Sequence, residues 1–119
     1  MYPFKAMWYE SEHYDQRADV PRTEEYETFE YSAPFYYDEI EVSKAKHGVS
    51  GVDFTKVKKV ITTKKRLEFA IDDVIEFEDG STLKVNDIRY RVPDEFKNAV
   101  KFWGNRARKL HEIKVLYLE

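Results

Sequence analysis

"VIEFEDGSTLKV", Val74–Val85, decides the fold. Ile75, Phe77, Leu83 and Val85 alternate with polar or charged residues, and Asp79-Gly80 marks a turn between the two runs. A two-residue Asp79-Gly80 turn would set Ile75 opposite Lys84 and Glu76 opposite Leu83. A three-residue loop, Glu78-Asp79-Gly80, sets Phe77 opposite Ser81 and Ile75 opposite Leu83 instead. One residue of loop length turns every side chain to the other face, so burial selects the second register. That register calls for a type I turn followed by Gly80 in the left-handed conformation, as a G1 bulge.

Downstream, Leu83 and Val85 share odd parity, whereas Ile88, Tyr90 and Val92 share even parity. The switch falls at Asn86-Asp87 and predicts a bulge or tight turn there. Pro93-Asp94 stops the strand. Phe96, Ala99, Val100 and Trp103 then fall at i, i+3, i+4 and i+7, one apolar stripe of a short helix over 94–103. Asp94 is placed to cap its start and Gly104 to break its end. In the closing "LHEIKVLYLE", Ile113, Val115 and Tyr117 alternate while Leu116 and Leu118 occupy the other face. A strand apolar on both faces is either central in its sheet or covered by a neighbouring chain.

Upstream, "LEFAI" alternates through Leu67, Phe69 and Ile71 and reads as a strand, as does "VKKVITT" before it. "KAKHGVSGVD", with Gly48 and Gly51, reads as a mobile loop spanning about 44–56. "EEYETFEYSAPFYYDEIEV" gives two strands broken at Ser32-Ala33-Pro34, because proline cannot donate to a ladder. Residues 1–23 show neither period and read as an irregular N-terminal arm ending near Pro21. The whole, 1–119, is expected to be a single domain of mainly β class. It would be an antiparallel β-barrel or sandwich of six to seven strands with one short helix, since closure removes exposed edges.

At 119 residues the chain can bury one core. No apolar run approaches the ~20 residues of a membrane helix. The opening residues lack the layout of a signal peptide, and the absence of cysteine suits a reducing cytosol. Charge is divided. Residues 1–55 hold 12 acids against 5 Lys/Arg, net −7, and residues 56–119 hold 11 acids against 15, net +4. Such a split suits either two solvated faces or subunits meeting acidic surface to basic surface. Nine Tyr, eight Phe and two Trp exceed what so small a core hides. Trp8, Tyr9, Tyr14 and Trp103 are therefore the candidate subunit or partner contacts.

Chemistry is hard to find. His13, His47 and His111 lie far apart, and His111 is read as part of the last strand. Glu10, Glu12, His13 and Asp15 cluster without a spacing that fixes a metal geometry, so they read as a solvated acidic loop. Asp72 and Asp73 are adjacent on extended chain and point to opposite faces, which places them poorly for sharing a proton. No phosphate-cradling glycine loop, nucleophile elbow or thiol is present. The expectation is a non-enzymatic protein with no catalytic residues, no metal and no cofactor. One basic run is more telling. Lys56, Lys58 and Lys59 precede "VITT", and Lys64, Lys65 and Arg66 follow it. Such strands can track a phosphate backbone or simply block edge pairing.

"TTKKRLEFAIDDVIEFEDGSTLKVNDIRY" followed by "KLHEIKVLYLE" resembles small head-completion proteins of tailed bacteriophages, the head–tail connector, head-closure ("stopper") or minor capsid group. The likeness covers roughly residues 60–119. It rests on a "DxI…G…V" hairpin, here Asp73, Ile75, Gly80 and Val85, and on an "LHxxEV.L"-like final strand, here Leu110 to Leu116. Residues 1–55 and the segment "FKNAVKFWGNRARK" fall outside it.

The resemblance implies a β-barrel subunit of the virion, assembled in the bacterial host cytoplasm into a homo-oligomeric ring at the portal vertex. It would touch portal-side and tail-side proteins, help retain DNA and dock the tail, with no membrane role. The loop at Gly48–Gly51 and the Lys56–Arg66 region would then be the candidates for facing the DNA channel. A small nucleic-acid-binding β-barrel is the alternative, and a ligand-binding or enzymatic domain a third reading that needs a pocket with converging polar groups.

Overall fold

The computed structural model describes residues 2–11, 32–46 and 49–119. Six strands make a closed antiparallel barrel: β1 (Phe4–Tyr9), β2 (Ser32–Ile40), β3 (Lys59–Thr63), β4 (Val74–Phe77), β5 (Thr82–Arg91) and β6 (Ile113–Leu118). Around the barrel they run β1-β2-β3-β6-β5-β4, and β4 closes onto β1. Among the described residues three helices are added: α1 (Val42–Ala45), α2 (Lys97–Trp103) and α3 (Asn105–His111), the last two entered through a 3₁₀ turn at Asp94–Phe96.

The β4–β5 hairpin has the register that burial selects. Ile75 faces Leu83, Phe77 N–H donates to the Ser81 carbonyl (2.9 Å), and Gly80 N–H returns to the Phe77 carbonyl (2.9 Å). Gly80 takes φ +87°, the left-handed conformation a G1 bulge needs. The parity switch at Asn86-Asp87 is also real, because the β5–β6 ladder shifts between Val85 and Asp87. That bulge lets one ten-residue strand serve two neighbours, pairing with β4 through Thr82–Lys84 and with β6 through Val85–Arg91.

Inside, Ile61, Ile75, Val85, Leu116 and Leu118 are fully buried among Phe35, Tyr37, Phe69 and Phe77. Full burial of each such side chain stabilises the fold by about 1.5–3 kcal/mol. The aromatics interlock edge to face, Phe35 on Phe69 at 5.1 Å and Tyr37 on Phe77 at 5.6 Å between centroids. Much of the aromatic surplus is therefore barrel filling.

A second cluster explains why β6 is apolar on both faces. Val60, Val115 and Tyr117 lie on the outer wall, packed with Ala45 and Val57 and flanked by Val42, Val49, Val52 and Phe54. The strand is both central, between β3 and β5, and covered, by Val42, Ala45, Val49, Val52, Phe54 and Val57 of its own chain. Much of that cover comes from the stretch read as a mobile loop, of which His47 and Gly48 lie outside the described residues.

Six other expectations need correction. Phe4–Tyr9 is a wall strand, not part of an irregular arm; the remainder of that arm, 12–23, lies outside the described residues. Pro34 sits within β2 rather than ending a strand. There, among the described residues, β2 pairs with β1 alone, since β3 joins it only at Asp38–Ile40, and a stretch laddered on one side tolerates a proline.

"LEFAI" is not a strand. Asp73 N–H donates to the Ala70 carbonyl (3.2 Å) and Asp72 has φ +72°, a turn that buries Phe69 but leaves Ile71 exposed. Finally, the single helix is two. Gly104, at φ +65° and ψ −144°, ends α2 and starts α3. Asp94 does not cap α2, its carboxylate taking the Lys97 ammonium instead (2.6 Å), and His111 closes α3 rather than lying in β6.

Candidate functional site

Asp73, the aspartate of the hairpin motif, is a structural hub. It is 2% exposed, and its carboxylate accepts from Trp8 Nε1 (2.7 Å), Ala70 N–H (2.9 Å) and Ser11 N–H (3.0 Å). These bonds tie β1 and the turn before β4 together, so Asp73 is committed to the fold. Lys114 is a second buried polar residue, sharing the inward parity of Leu116 and Leu118. Its ammonium donates to the Leu67 carbonyl and lies 5.8 Å from the Phe69 ring centroid and 5.5 Å from that of Tyr90. The interior is thus packed and stoppered with side chains.

The sequence-predicted contacts divide. Tyr9 is buried in the wall, and Trp8 is half-buried against Phe69 at 4.2 Å, so neither presents a free surface. Tyr14 lies outside the described residues. Trp103 is 75% exposed at the end of α2, beside Phe102 at 81%, and Leu110 on α3 is 77% exposed. These three large apolar side chains stand on the helical pair that the sequence inserts between β5 and β6.

The Lys56–Arg66 run does not form one patch. Lys56 and Lys58 precede β3 and Lys64, Lys65 and Arg66 follow it. At ~3.3 Å per residue, the five-residue strand holds the two groups about 15 Å or more apart. Lys59 between them pairs with Glu39 (3.2 Å) and lies over the Phe77 ring (4.1 Å). Lys65 pairs with Glu112 (2.8 Å).

A stronger positive surface lies elsewhere. A groove of about 620 Å³ runs between the outer barrel wall, α1 and the α2–α3 pair. Its floor includes Ile40, Val115 and Tyr117, and its walls carry Lys44, Arg89, Arg91, Lys97, Lys101 and Arg108. The one acid among the lining residues is Asp94.

Lys97 and Lys101 share a helix face because they are four apart. Arg89 is held by Asp87 (2.9 Å) and the Ser50 carbonyl (3.2 Å), and Lys97 by Asp94. Among the described residues, Arg91, Lys101 and Arg108 have no ion-pair partner. The field is felt locally. The Lys97 hydrogen bond and charge, with Arg91 adding to them, hold the Asp94 carboxyl below its ordinary range. Burial raises the Tyr117 phenol, assisted by Asp87 and opposed by Arg89 and Arg91.

A second depression of about 690 Å³ shares Ile40, Lys44 and Arg91 with the first. Its lining mixes Asp38, Glu39, Glu41, Glu95 and Glu112 with Lys44, Lys64, Lys65 and Arg91. Lys65–Glu112 pairs within it, and His111 stacks on Phe96 at 4.0 Å. It is balanced in charge, and its histidine is occupied.

The groove was missed from sequence although a signal existed: residues 89–109 hold seven Lys/Arg and two acids. Those cations are spread over a strand and two helices, so no compact run marks them. Among the described residues no three His, Asp or Glu side chains gather to hold a metal, and no helix is long and apolar enough to cross a membrane. Comparison with family models, curated proteins and solved structures finds no match for this chain.

Proposed function

We propose that this barrel is a non-enzymatic assembly subunit of the head–tail connector class that its second half resembles. In that role it is one copy in a ring beneath the portal of a tailed bacteriophage, where it helps retain DNA and dock the tail. One observation supports this reading above the others. The barrel interior is filled by Ile61, Ile75, Val85, Leu116 and Leu118, while Phe102, Trp103 and Leu110 stand exposed on an outward helical pair. Buried side chains occupy the barrel interior among the described residues, which leaves recognition to the outer surface, and large exposed apolar side chains mark interaction surfaces. Contact is the work such a molecule is built for.

The test is co-expression with the portal protein of the same genome, followed by mass measurement and electron microscopy of the purified vertex. Rings of this chain seated on the portal are expected. A folded barrel that binds neither portal nor tail proteins would sink the reading.

A further inference from the structure

We propose that the cationic groove is a sequence-independent site for the phosphate backbone of a nucleic acid. The proposal rests on the connector reading for why such a barrel meets DNA, and its test needs no portal, so the two fail separately.

Charge comes first. Among the described residues the groove sets Lys44, Arg89, Arg91, Lys97, Lys101 and Arg108 against Asp94 alone, in a chain whose net charge is −3. All six cations are exposed. Arg91, Lys101 and Arg108 have no ion-pair partner among the described residues, so a polyanion meets them without breaking an existing pair. The neighbouring depression sets four cations against five acids, which keeps the attraction local to the groove. The six come from α1, β5, α2 and α3. Cations spread over four elements suit a polymer of phosphates better than a single anion.

The apolar lining separates a nucleic acid from an acidic protein. Val115 and Tyr117 are buried beneath the chain's own apolar cover, and Ile40, Val49, Val92 and Val100 are half-buried. A protein partner is held chiefly through side chains desolvated in pockets, and this groove presents little open apolar surface to receive them. Phosphate contacts need only exposed cations and hydroxyls. Arg91, Lys101, Arg108 and the half-exposed Tyr90 supply both kinds of donor.

The experiment uses the full chain and short labelled DNA duplexes of two unrelated sequences, read by fluorescence anisotropy across a salt series. Both should bind alike, with log affinity falling linearly against log salt. Arg91→Gln/Lys101→Gln/Arg108→Gln should weaken binding roughly tenfold or more at low salt and flatten the slope by about 2–3, since each phosphate contact contributes ~0.9. The three single substitutions, each flattening the slope by about 0.9, give the same reading if the triple variant melts abnormally. Lys56→Gln/Lys58→Gln/Lys84→Gln removes as much charge from exposed positions outside the groove and should leave most of the affinity and slope in place. Equal loss in the two triple variants would reduce the effect to bulk charge and overturn the proposal. So would strong preference for one sequence, or no binding at low salt.

A glutamate-rich peptide of matched charge should fail to displace the duplex. Displacement would assign the groove to an acidic protein instead. Single-stranded DNA and duplex RNA, run as competitors, show which nucleic acid supplies the backbone. Portal assembly by the groove variant is scored separately. Lost duplex binding by the wild type with rings intact removes this site alone, and intact binding without rings removes the connector reading alone.

Discussion

Trp8 and Asp73, 65 residues apart in the chain, are joined by a 2.7 Å hydrogen bond from the indole nitrogen to a carboxylate oxygen. The bond fixes β1 against the turn that starts the central hairpin, and two backbone donors complete the carboxylate's shell. Asp73→Ala strands all three donors and should cost about 3 kcal/mol or more, since hydrogen bonds to a charged group contribute ~1.5–3 kcal/mol each. Trp8→Phe in a double-mutant cycle with Asp73→Asn should return a coupling of about 1.5 kcal/mol or more by urea unfolding. Additive losses would show that the two residues act independently.

Gly80 gives a cleaner backbone experiment. It takes φ +87°, and a Cβ built there meets nothing within 4 Å, so Gly80→Ala meets conformational strain alone. The expected loss is about 1–2 kcal/mol, and Gly80→Asn should lose less because asparagine tolerates the left-handed region. A Gly80→Ala protein as stable as wild type would mean that the three-residue loop is not held in the G1 geometry.

These two sites mark how far the chain can be read without a structure. The hairpin register and the Asn86-Asp87 bulge were legible because a one-residue error there puts polar groups in the core. "LEFAI" misled because its alternation is real for Leu67 and Phe69, yet the Asp72-Asp73 turn, a tertiary feature, removes Ile71 from the pattern. Helix α3 was hidden because "NRARKLH" buries only Ala107, which leaves no stripe to detect. The groove was only partly legible. The density of cations over 89–109 is visible in the chain, but that Arg91, Lys101 and Arg108 line one groove depends on where a strand and two helices are brought, which no spacing encodes.

Ile61 and Trp103 should separate stability from contact. Ile61 has no exposed surface, so Ile61→Ala should cost about 2–5 kcal/mol. Trp103 is three-quarters exposed, so Trp103→Ser, alone or with Phe102→Ser, should move stability by no more than about 0.5 kcal/mol. The same double variant should lose portal-vertex assembly in pull-down and electron microscopy. A marked fall in thermal stability instead would assign these side chains to the fold and withdraw the helical pair as a docking surface.

Alkaline pH tests the outer wall. Burial raises the Tyr117 phenol above its ordinary value of 10.0, with Asp87 adding to the rise while Arg89 and Arg91 oppose it. Tyr37 is raised as well, by burial first and then by Glu39, Glu78 and Asp79. A raised folded-state value means that, near and above pH 10.0, the unfolded chain gives up its phenolic proton before the native one does. The unfolded state then holds fewer protons, so stability falls with rising pH. The contribution is fully present below the ordinary value and is lost as pH climbs from there through the folded value. Urea unfolding from neutral pH into the alkaline range should therefore slope downward for the wild type and less steeply for Tyr117→Phe. Arg89→Gln should steepen the slope, because it removes a cation that favours the phenolate. Identical slopes for wild type and Tyr117→Phe would mean that this ring is not held in the dry outer cluster beneath residues 42–57.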